Sequence, residues 1–166
     1  MKSLGQNKTV EVSKTVVALV STGGEKIIID RASLALIGSR CVAIVERHKK
    51  YGRLCYNGKH IKLHRLIMDA KPGEIIDHIN NDGLDNRTAN LRRCTSFENM
   101  HNRTKKKNNT TGYKGVYAHR GCFCASIAHH GVKYHIGRYL TAKEAAIAYN
   151  KKAKELHGEF SRINAL

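Results

Sequence analysis

The sequence predicts an α+β fold with two parts: a β-hairpin followed by a short helix in the middle of the chain, and a small three-stranded antiparallel sheet packed on one helix at the C-terminal end. The hairpin is predicted because two short apolar segments, EIIDHI and NLRRC, flank a turn-rich loop. The sheet is predicted because three alternating segments are separated by Gly121 and Gly131, and the following segment has helical apolar periodicity.

The region from about Val16 to Met68 has short apolar runs broken by turn signals. The segment KIIID is expected to form a strand, after which Asp30 caps a short helix, RASLALI, that Gly38 ends. The segments CVAIVERH, YGRLCYN and HIKLHRLI are expected to be strands, the last two joined by the hairpin signal Asn57-Gly58.

The central segment places polar side chains at the ends of its elements. The strand EIIDHI delivers Asp77 and His78 at its end. Thr95 and Glu98 form a capping box that begins a short helix, with Asn99 in its first turns. A hairpin followed by a helix is therefore expected to bring Asp77, His78 and Asn99 toward one point.

The C-terminal helix is predicted by a second capping box, Thr141 and Glu144, before the segment TAKEAAIAYNKKAKELHG. Its apolar positions form one helical face, and Gly158 lies where the helix is expected to stop.

A basic segment separates the two parts. Residues 103–112 are polar and lysine-rich with no apolar side chain, so they are expected to form a linker. The expected domains are residues 1–102, with a hairpin-helix core at 63–102, and residues 113–166 after the linker.

The charge of the chain indicates its partner. The chain has 166 residues, with 30 Lys plus Arg against 13 Asp plus Glu, a formal net charge of +17. Such an excess favours a polyanionic partner, and the lysines of the linker are expected to follow phosphates. No segment approaches the ~20 apolar residues of a membrane span. The N-terminal residues lack the apolar core of a signal peptide, so a cytoplasmic location is expected.

The five cysteines give no C-x-x-C pair, so a zinc site built from paired cysteines is not expected, and no zinc is expected as a cofactor. Cys122 and Cys124 lie two apart in a predicted strand and are expected to be packing residues.

The central polar residues suit hydrolysis of a phosphodiester. Asp77 and Asn99 offer the oxygen ligands that Mg²⁺ prefers, with Mn²⁺ as an alternative. His78 has an ordinary pKa near neutrality and is the expected general base for an attacking water. Asn90 is expected to tie the loop to the hairpin and so to fix the direction of His78.

The segments HRLI and DHINNDGLDNRTANLRRCTSFENMHN, from Leu63 to Asn102, resemble HNH endonucleases of the phage and homing type. The resemblance implies a ββα-metal arrangement and site-selective nicking or cleavage of double-stranded DNA. It also implies Asp77 as metal ligand, His78 as base, Asn90 as the structural middle residue and Asn99 as second ligand. His101 and Asn102 are further candidates for the third motif position.

Residues 112–164 resemble the plant ethylene-response-factor type of DNA-binding domain, on the segments GYKGV, YHIGRY, TAKEAAIAYNKKAKELHGEF and RIN. This resemblance implies that the sheet enters the major groove. The positions it implies for groove contact are Lys114, Tyr117, His119, Ser126, Ala128, Lys133 and His135. Further DNA contacts are expected from Arg65, Lys105, Lys106 and Lys107.

Two alternatives to a nuclease stay open. The first is a non-catalytic DNA-binding regulator with a degenerate nuclease fold, and the second is a ribosome-associated or RNA-binding protein, which fits the charge but not the polar constellation. No small-molecule substrate is expected, and the chain is expected to act as a monomer or homodimer.

Overall fold

The computed structural model describes residues 8–21, 23–46, 48–56, 58–105 and 108–166. Its contacts divide the chain into two compact units, Met1–Thr95 and Ser96–Leu166. The expected domain boundary after residue 102 stays a prediction. Asn57 of the expected hairpin turn, and Lys106 and Lys107 of the expected linker, lie outside the described residues.

The first unit is a mixed α/β structure with small antiparallel sheets. In the described residues, two of these sheets have three strands each, in the order of the chain, and a two-stranded hairpin follows them. The elements are β1 (Lys8–Glu11), β2 (Val16–Val20), β3 (Lys26–Asp30), α1 (Leu34–Ile37), β4 (Val42–Glu46), β5 (Lys50–Tyr56), β6 (Lys59–Lys62), α2 (Leu63–Ile67), β7 (Ile75–His78) and β8 (Leu91–Cys94).

The core of the first unit comes from the alternation of its strands. Val17 and Leu19 on β2, and Ile27 and Ile29 on β3, point to one face, and each is at most 1% exposed. The remaining buried residues of this core are Ile37, Val42, Leu54 and Leu63. Burying each of these side chains contributes about 1.5–3 kcal/mol, so this core supports the hairpin that carries the polar residues.

Two expectations for this unit are wrong in part. HIKLHRLI is a strand only as far as Lys62, and α2 follows, because Leu63, Leu66 and Ile67 recur at helical spacing and all belong to the core or pack on it. Asp30 precedes a short 3-10 turn but makes no side-chain capping bond. Its carboxylate instead accepts hydrogen bonds from the backbone N–H and the hydroxyl of Thr88, both at 2.7 Å.

The second unit contains, in the part that the structure describes, the expected three-stranded antiparallel sheet and a long helix. The capping box of Thr141 and Glu144 is present, and the long helix ends at Gly158, as predicted. The elements are α3 (Ser96–His101), β9 (Val116–His119), β10 (Cys122–His129), β11 (Val132–Tyr139) and α4 (Ala142–His157), with β10 in the middle of the sheet.

Small side chains let α4 lie close to the sheet. Ala145, Ala146 and Ala153 are at most 1% exposed and pack in one cluster with Ala125 of β10. The helix completes the cluster with Tyr149, which is 3% exposed. Among the described residues, no helix is both long enough and apolar enough to cross a membrane.

Candidate active site

The hairpin of β7 and β8 places an acid and an imidazole side by side at the end of one strand. In its antiparallel register, Asp77 lies opposite Arg92 and His78 lies opposite Leu91. Asp77 is 7% exposed and His78 is 5% exposed. Polar side chains buried to this degree need partners, and the structure supplies them from neighbouring elements.

Asp77 forms an ion pair with Arg92 across the hairpin. The Nε and Nη2 atoms of Arg92 lie 3.2 and 2.9 Å from the same carboxylate oxygen, Oδ2. The Arg92 side chain is 12% exposed, so the pair is screened from solvent. The arginine compensates the charge of a carboxylate that the fold buries.

His78 lies in an aromatic environment. The His64 ring packs edge-on against it with centroids 4.9 Å apart, and the Tyr51 ring centroid lies 5.9 Å away. Burial lowers the pKa of His78 below its ordinary value, although a hydrogen bond with Asn86 and the charge of Asp77 act in the opposite direction. Burial also lowers the pKa of His64, to about 3, with a further contribution from His78. Both rings are therefore neutral at neutral pH.

Asn86 determines which nitrogen of His78 carries the proton. Its side chain is fully buried, and its amide Nδ2 lies 3.3 Å from the Gly83 carbonyl oxygen, to which it donates. That bond turns Oδ1 toward His78, whose Nε2 is 3.3 Å away. Because Oδ1 is an acceptor, the His78 Nε2 carries the hydrogen and Nδ1 is the unprotonated nitrogen.

Asn90 holds the loop between the two strands. Its Nδ2 donates to the backbone carbonyl of Asp85 at 2.8 Å and to Oδ1 of Asn80 at 3.0 Å. Its Oδ1 accepts from the backbone N–H of Asn80 at 3.0 Å. The Asp85 carboxylate in turn accepts two bonds from the Arg87 guanidinium, at 2.8 and 2.6 Å. Hydrogen bonds thus hold the loop both at Asn80, two residues after His78, and at Asn90, just before β8 begins.

The same loop is joined to the core of the first unit. The backbone N–H of Asn86 donates to the Ile28 carbonyl at 2.7 Å, and the Ile28 N–H donates to the Leu84 carbonyl at 2.8 Å. A side chain at Gly83 would clash with the backbone of Lys50 and the ring of Tyr51. The loop therefore lies directly on β3 and β5, which fixes the position of Asn86 beneath His78.

The remaining residues of the candidate site lie on α3 or directly after it, in the second unit. Asn99 is exposed there, whereas His101 and Asn102 are 8% and 3% exposed. Of these three candidates for the third motif position, Asn99 is the one whose side chain reaches solvent. Its convergence with Asp77 and His78 stays a prediction.

Most of the residues expected to contact DNA share the outer face of the C-terminal sheet. Tyr117, His119, Lys133 and His135 are all exposed. The register pairs Ser126 with His135 and Ala128 with Lys133, which are also expected contacts. The Lys133 ammonium lies 5.4 Å from the centroid of the Tyr117 ring. This face combines cations with an aromatic surface.

Three of the cationic residues expected to contact DNA donate hydrogen bonds to backbone carbonyls of the protein, and two of them are Lys114 and Arg65. The Lys114 ammonium donates to the His101 carbonyl at 2.6 Å, and burial lowers its pKa to about 8. The Arg65 guanidinium donates to the carbonyls of Glu74, Ala70 and Lys71, which follow α2. Both side chains therefore stabilise the fold, and their contact with DNA stays a prediction. The Lys105 ammonium donates to the Gly112 carbonyl at 2.9 Å.

The sequence interpretation missed several side chains around His78. Arg92 was accessible from the sequence, because an antiparallel hairpin with the right register puts it opposite Asp77. Tyr51 and Asn86 had no comparable signal, since their contacts with His78 depend on how separate elements pack.

One class of nucleases typically combines an Asp-His pair at the end of a hairpin strand with a short helix that follows. Comparison with known proteins identifies the class to which this chain belongs. Residues 48–101 match the family described as HNH endonuclease. A protein of Acanthamoeba polyphaga mimivirus, named uncharacterized HNH endonuclease L560, is 33% identical over 135 residues, which cover 74% of this chain and 70% of the relative. The chain belongs to the HNH endonuclease family.

A second relative comes from a bacteriophage. Protein 3.8 of Escherichia phage T7 is 33% identical over 108 residues, which cover 63% of this chain and 88% of that protein. No solved structure matches this chain.

Proposed function

We propose that this protein is a metal-dependent endonuclease that hydrolyses phosphodiester bonds of double-stranded DNA at selected sites, in the manner of homing enzymes. The observation that carries the proposal is the state of His78: a neutral imidazole whose Nε2 is held by Asn86, beside Asp77 at the end of the same strand. A histidine held in one tautomer next to an acidic ligand is suited to deprotonate water.

In this proposal His78 accepts the proton of the attacking water at Nδ1. Asn86 is a positioning residue, because it fixes the tautomer and the direction of the ring from the opposite side. Tyr51 and His64 exclude water from one side of the imidazole and help to keep it unprotonated at neutral pH. Asn90 holds the loop through its three hydrogen bonds to Asn80 and Asp85.

The donor set fits a hard divalent cation. Asp77 supplies a carboxylate and Asn99 a carboxamide oxygen, which are the ligand types that Mg²⁺ and Mn²⁺ prefer. A divalent ion held by these residues would neutralise charge on the scissile phosphate and on the leaving oxygen. The Arg92 guanidinium, which contacts Oδ2 of Asp77, orients the carboxylate from inside the hairpin.

The second unit is proposed to bind DNA through the outer face of its sheet, in the manner of the ethylene-response-factor type of domain. Tyr117, His119, Lys133 and His135 lie on this exposed face, which is a favourable surface for base and phosphate contacts. The lysines at 105–107 are proposed to add phosphate contacts without sequence preference.

A second candidate function is a DNA-binding regulator that has lost catalysis. One observation favours it: the Asp77 carboxylate, which a nuclease would use as metal ligand, is in a nearly buried ion pair with Arg92. In a regulator this pair would be a structural feature of the hairpin, and no metal ion would replace Arg92 as the partner of Asp77.

Cleavage of supercoiled plasmid DNA separates the two functions. The full-length protein is incubated with plasmid in Mg²⁺, in Mn²⁺ and in EDTA, and we expect nicked or linear product only with a divalent ion. His78→Ala should abolish cleavage while DNA affinity remains nearly unchanged, because a general base acts on the reaction rather than on the phosphate contacts.

His60→Gln is the matched control, since His60 is exposed on β6, away from the proposed site. It should cut at the wild-type rate. If the wild-type protein binds DNA but produces no cut with either ion, the regulator is the correct function. If His78→Ala cuts as fast as the wild type, His78 is not the base.

A further inference from the structure

The second unit holds a cluster of three histidines that the proposed nuclease chemistry does not use. His101 is the last residue of α3, His129 the last of β10 and His157 the last of α4. One ring nitrogen from each lies within 4.8 Å of the other two. His101 is 8% exposed, and the other two are half-buried. We call this group the three-histidine cluster.

Each ring of the cluster has a buried nitrogen without a hydrogen-bond partner. Among the described residues, no partner is present for Nε2 of His101, Nδ1 of His129 or Nε2 of His157. Native proteins rarely leave buried polar atoms unsatisfied, and three such atoms in one group require an explanation. A bound cation would satisfy all three.

The surroundings keep the His101 and His157 rings neutral and partly fix the orientation of the cluster. The Phe97 ring centroid lies 4.4 Å from that of His101 and 5.5 Å from that of His129, so one side of the cluster is apolar. The backbone of Ala128 forms a hydrogen bond with the His157 imidazole. Burial lowers the pKa of His157 to about 4 and that of His101 below its ordinary value. A metal-binding imidazole must be neutral and is commonly oriented by a bond to its other nitrogen.

We propose that the three-histidine cluster binds a divalent transition-metal ion, foremost Zn²⁺. Three imidazoles are a ligand set that Zn²⁺ accepts, with a fourth position left for water. The set differs in kind from the oxygen ligands proposed for the nuclease ion, since nitrogen donors select transition metals over Mg²⁺. The ion would join α3 to β10 and α4, and so fix the helix that carries Asn99 within its own unit.

The three histidines give no signal in the sequence, because they come from three separate elements. Their convergence follows from the packing of α3 and α4 against the end of β10, which no spacing in the chain reveals. The expectation of no zinc rested on the missing cysteine pairs, and such pairs say nothing about a site built from histidines of separate elements.

Metal binding requires a defined movement of the rings. Zn–N bonds of 2.0–2.1 Å place tetrahedral ligands roughly 3.3 Å apart, so the nitrogens must approach one another. His101 and His157 are stacked, with centroids 3.4 Å apart and planes 16° from parallel. The lone pairs lie in the ring planes, so two stacked rings do not point at one ion. One of the two rings must turn out of the stack when the ion binds.

One cationic side chain beside the cluster opposes the binding of a metal ion. The Lys114 side chain donates to the His101 carbonyl, and its charge contributes to the lowered pKa of both His101 and His157.

The test is metal binding by the full-length protein, measured without reference to cleavage. Protein freed of metal with EDTA is titrated with Zn²⁺ against a chromogenic chelator, and separately with Co²⁺ while its visible spectrum is recorded. We expect one Zn²⁺ per chain, an increase in Tm with Zn²⁺, and the intense visible bands of tetrahedral Co²⁺.

Substitutions then assign the site. His129→Gln and His157→Gln should each lower Zn²⁺ affinity by tenfold or more and remove the Co²⁺ bands. His60→Gln, an exposed histidine of β6, should bind Zn²⁺ as the wild type does. Asp77→Ala should also leave Zn²⁺ affinity unchanged, which separates this site from the nuclease ion. Circular dichroism in EDTA verifies that each variant is folded.

Two results would overturn the proposal. The first is a wild-type protein that takes no Zn²⁺ from the chelator at any protein concentration tested. The second is retention of wild-type Zn²⁺ affinity by the folded His129→Gln and His157→Gln proteins, which would place bound zinc elsewhere. If one of the two variants fails to fold, the other and His101→Gln decide the question.

Discussion

Asn86 gives the sharpest test of the proposed mechanism, because it contacts Nε2 of the proposed base and not the Nδ1 that is proposed to accept the proton. Replacement by Leu keeps the branched shape and the number of heavy atoms of this fully buried side chain and removes the acceptor for the His78 Nε2–H. The His78 ring can then adopt the other tautomer, in which Nδ1 carries the hydrogen and is unable to accept a proton from water. Asn86→Leu should therefore reduce catalysis without removing the base.

The size of the effect follows from the missing hydrogen bond. A neutral hydrogen bond contributes about 0.5–1.5 kcal/mol net, so its removal changes the tautomer ratio by a factor of about 2 to 13. Weaker orientation of the ring adds to this, and we expect kcat to fall by about tenfold or somewhat more, equivalent to at least about 1.4 kcal/mol in the barrier. The buried Nε2–H, left without an acceptor, should lower the free energy of unfolding by about 1–3 kcal/mol.

The assay compares single-turnover cleavage of plasmid by the wild type, Asn86→Leu and Asn86→Asp across pH, at saturating Mg²⁺. Asn86→Asp keeps an acceptor for Nε2–H but adds a negative charge, which stabilises the imidazolium. It should recover most of the rate at high pH and move the acid limb of the pH–rate profile to higher pH. DNA affinity should be equal in all three proteins. A wild-type kcat in Asn86→Leu together with an unshifted profile in Asn86→Asp would refute the assigned tautomer.

Three further predictions concern stability and DNA binding. The pKa of His64 is about 3 in the folded protein, below the ordinary value of 6.5. As the pH falls below 6.5, the unfolded chain therefore takes up a proton at His64 while the folded protein does not. This difference should cost up to about 1.4 kcal/mol of stability per pH unit below 6.5. In urea unfolding, His64→Phe should lose less stability between pH 7 and pH 5 than the wild type, and equal losses would contradict this. Substituting Ala for the lysines at 105–107 should reduce the slope of log affinity against log salt by about one for each phosphate that the protein no longer neutralises, whereas an unchanged slope would mean that these lysines are only solvated. Lys133→Ala together with Tyr117→Ala should change the distribution of cut sites on a long duplex, and an identical map would exclude the sheet face as the reader.

The sequence predicted most elements whose signals are local. The alternation in β10 and β11, and the capping box of Thr141 and Glu144, are properties of a few consecutive residues, and the structure confirms both. The prediction failed at α2, because a segment of eight residues that starts as β6 changes its periodicity at Leu63. The change from strand to helix within this segment is decided by the packing of its second half, α2, on the core.

In the candidate site, too, residues with a local signal could be predicted and residues placed by tertiary packing could not. Asp77 and His78 could be predicted because they are adjacent in the chain and lie at the end of one predicted strand. Asn86 was not found, because its role depends on a loop folded onto β3, where its backbone bonds to Ile28. The His101 contacts with β10 and α4 are equally remote from any local pattern. Residues that position others through tertiary packing are therefore the ones that a single sequence conceals.

The ion pair of Asp77 and Arg92 decides between the nuclease and the regulator, and a stability measurement can resolve it without any cleavage. Removal of one partner from a buried ion pair costs about 3–5 kcal/mol, because the remaining charge is left uncompensated. Arg92→Gln should therefore be markedly destabilised in EDTA. If Asp77 is a metal ligand, Mg²⁺ should restore much of this stability, since the ion supplies the positive charge that the arginine supplied.

The double variant Asp77→Asn with Arg92→Gln is the matched control. Both charges are gone, so it should be less destabilised than Arg92→Gln in EDTA and should gain little from Mg²⁺. The measurement is thermal unfolding of the wild type and both variants across a Mg²⁺ titration. Equal Mg²⁺ effects on all three proteins would mean that the ion binds away from Asp77, and the ion pair would then be a structural feature of the hairpin rather than part of a metal site.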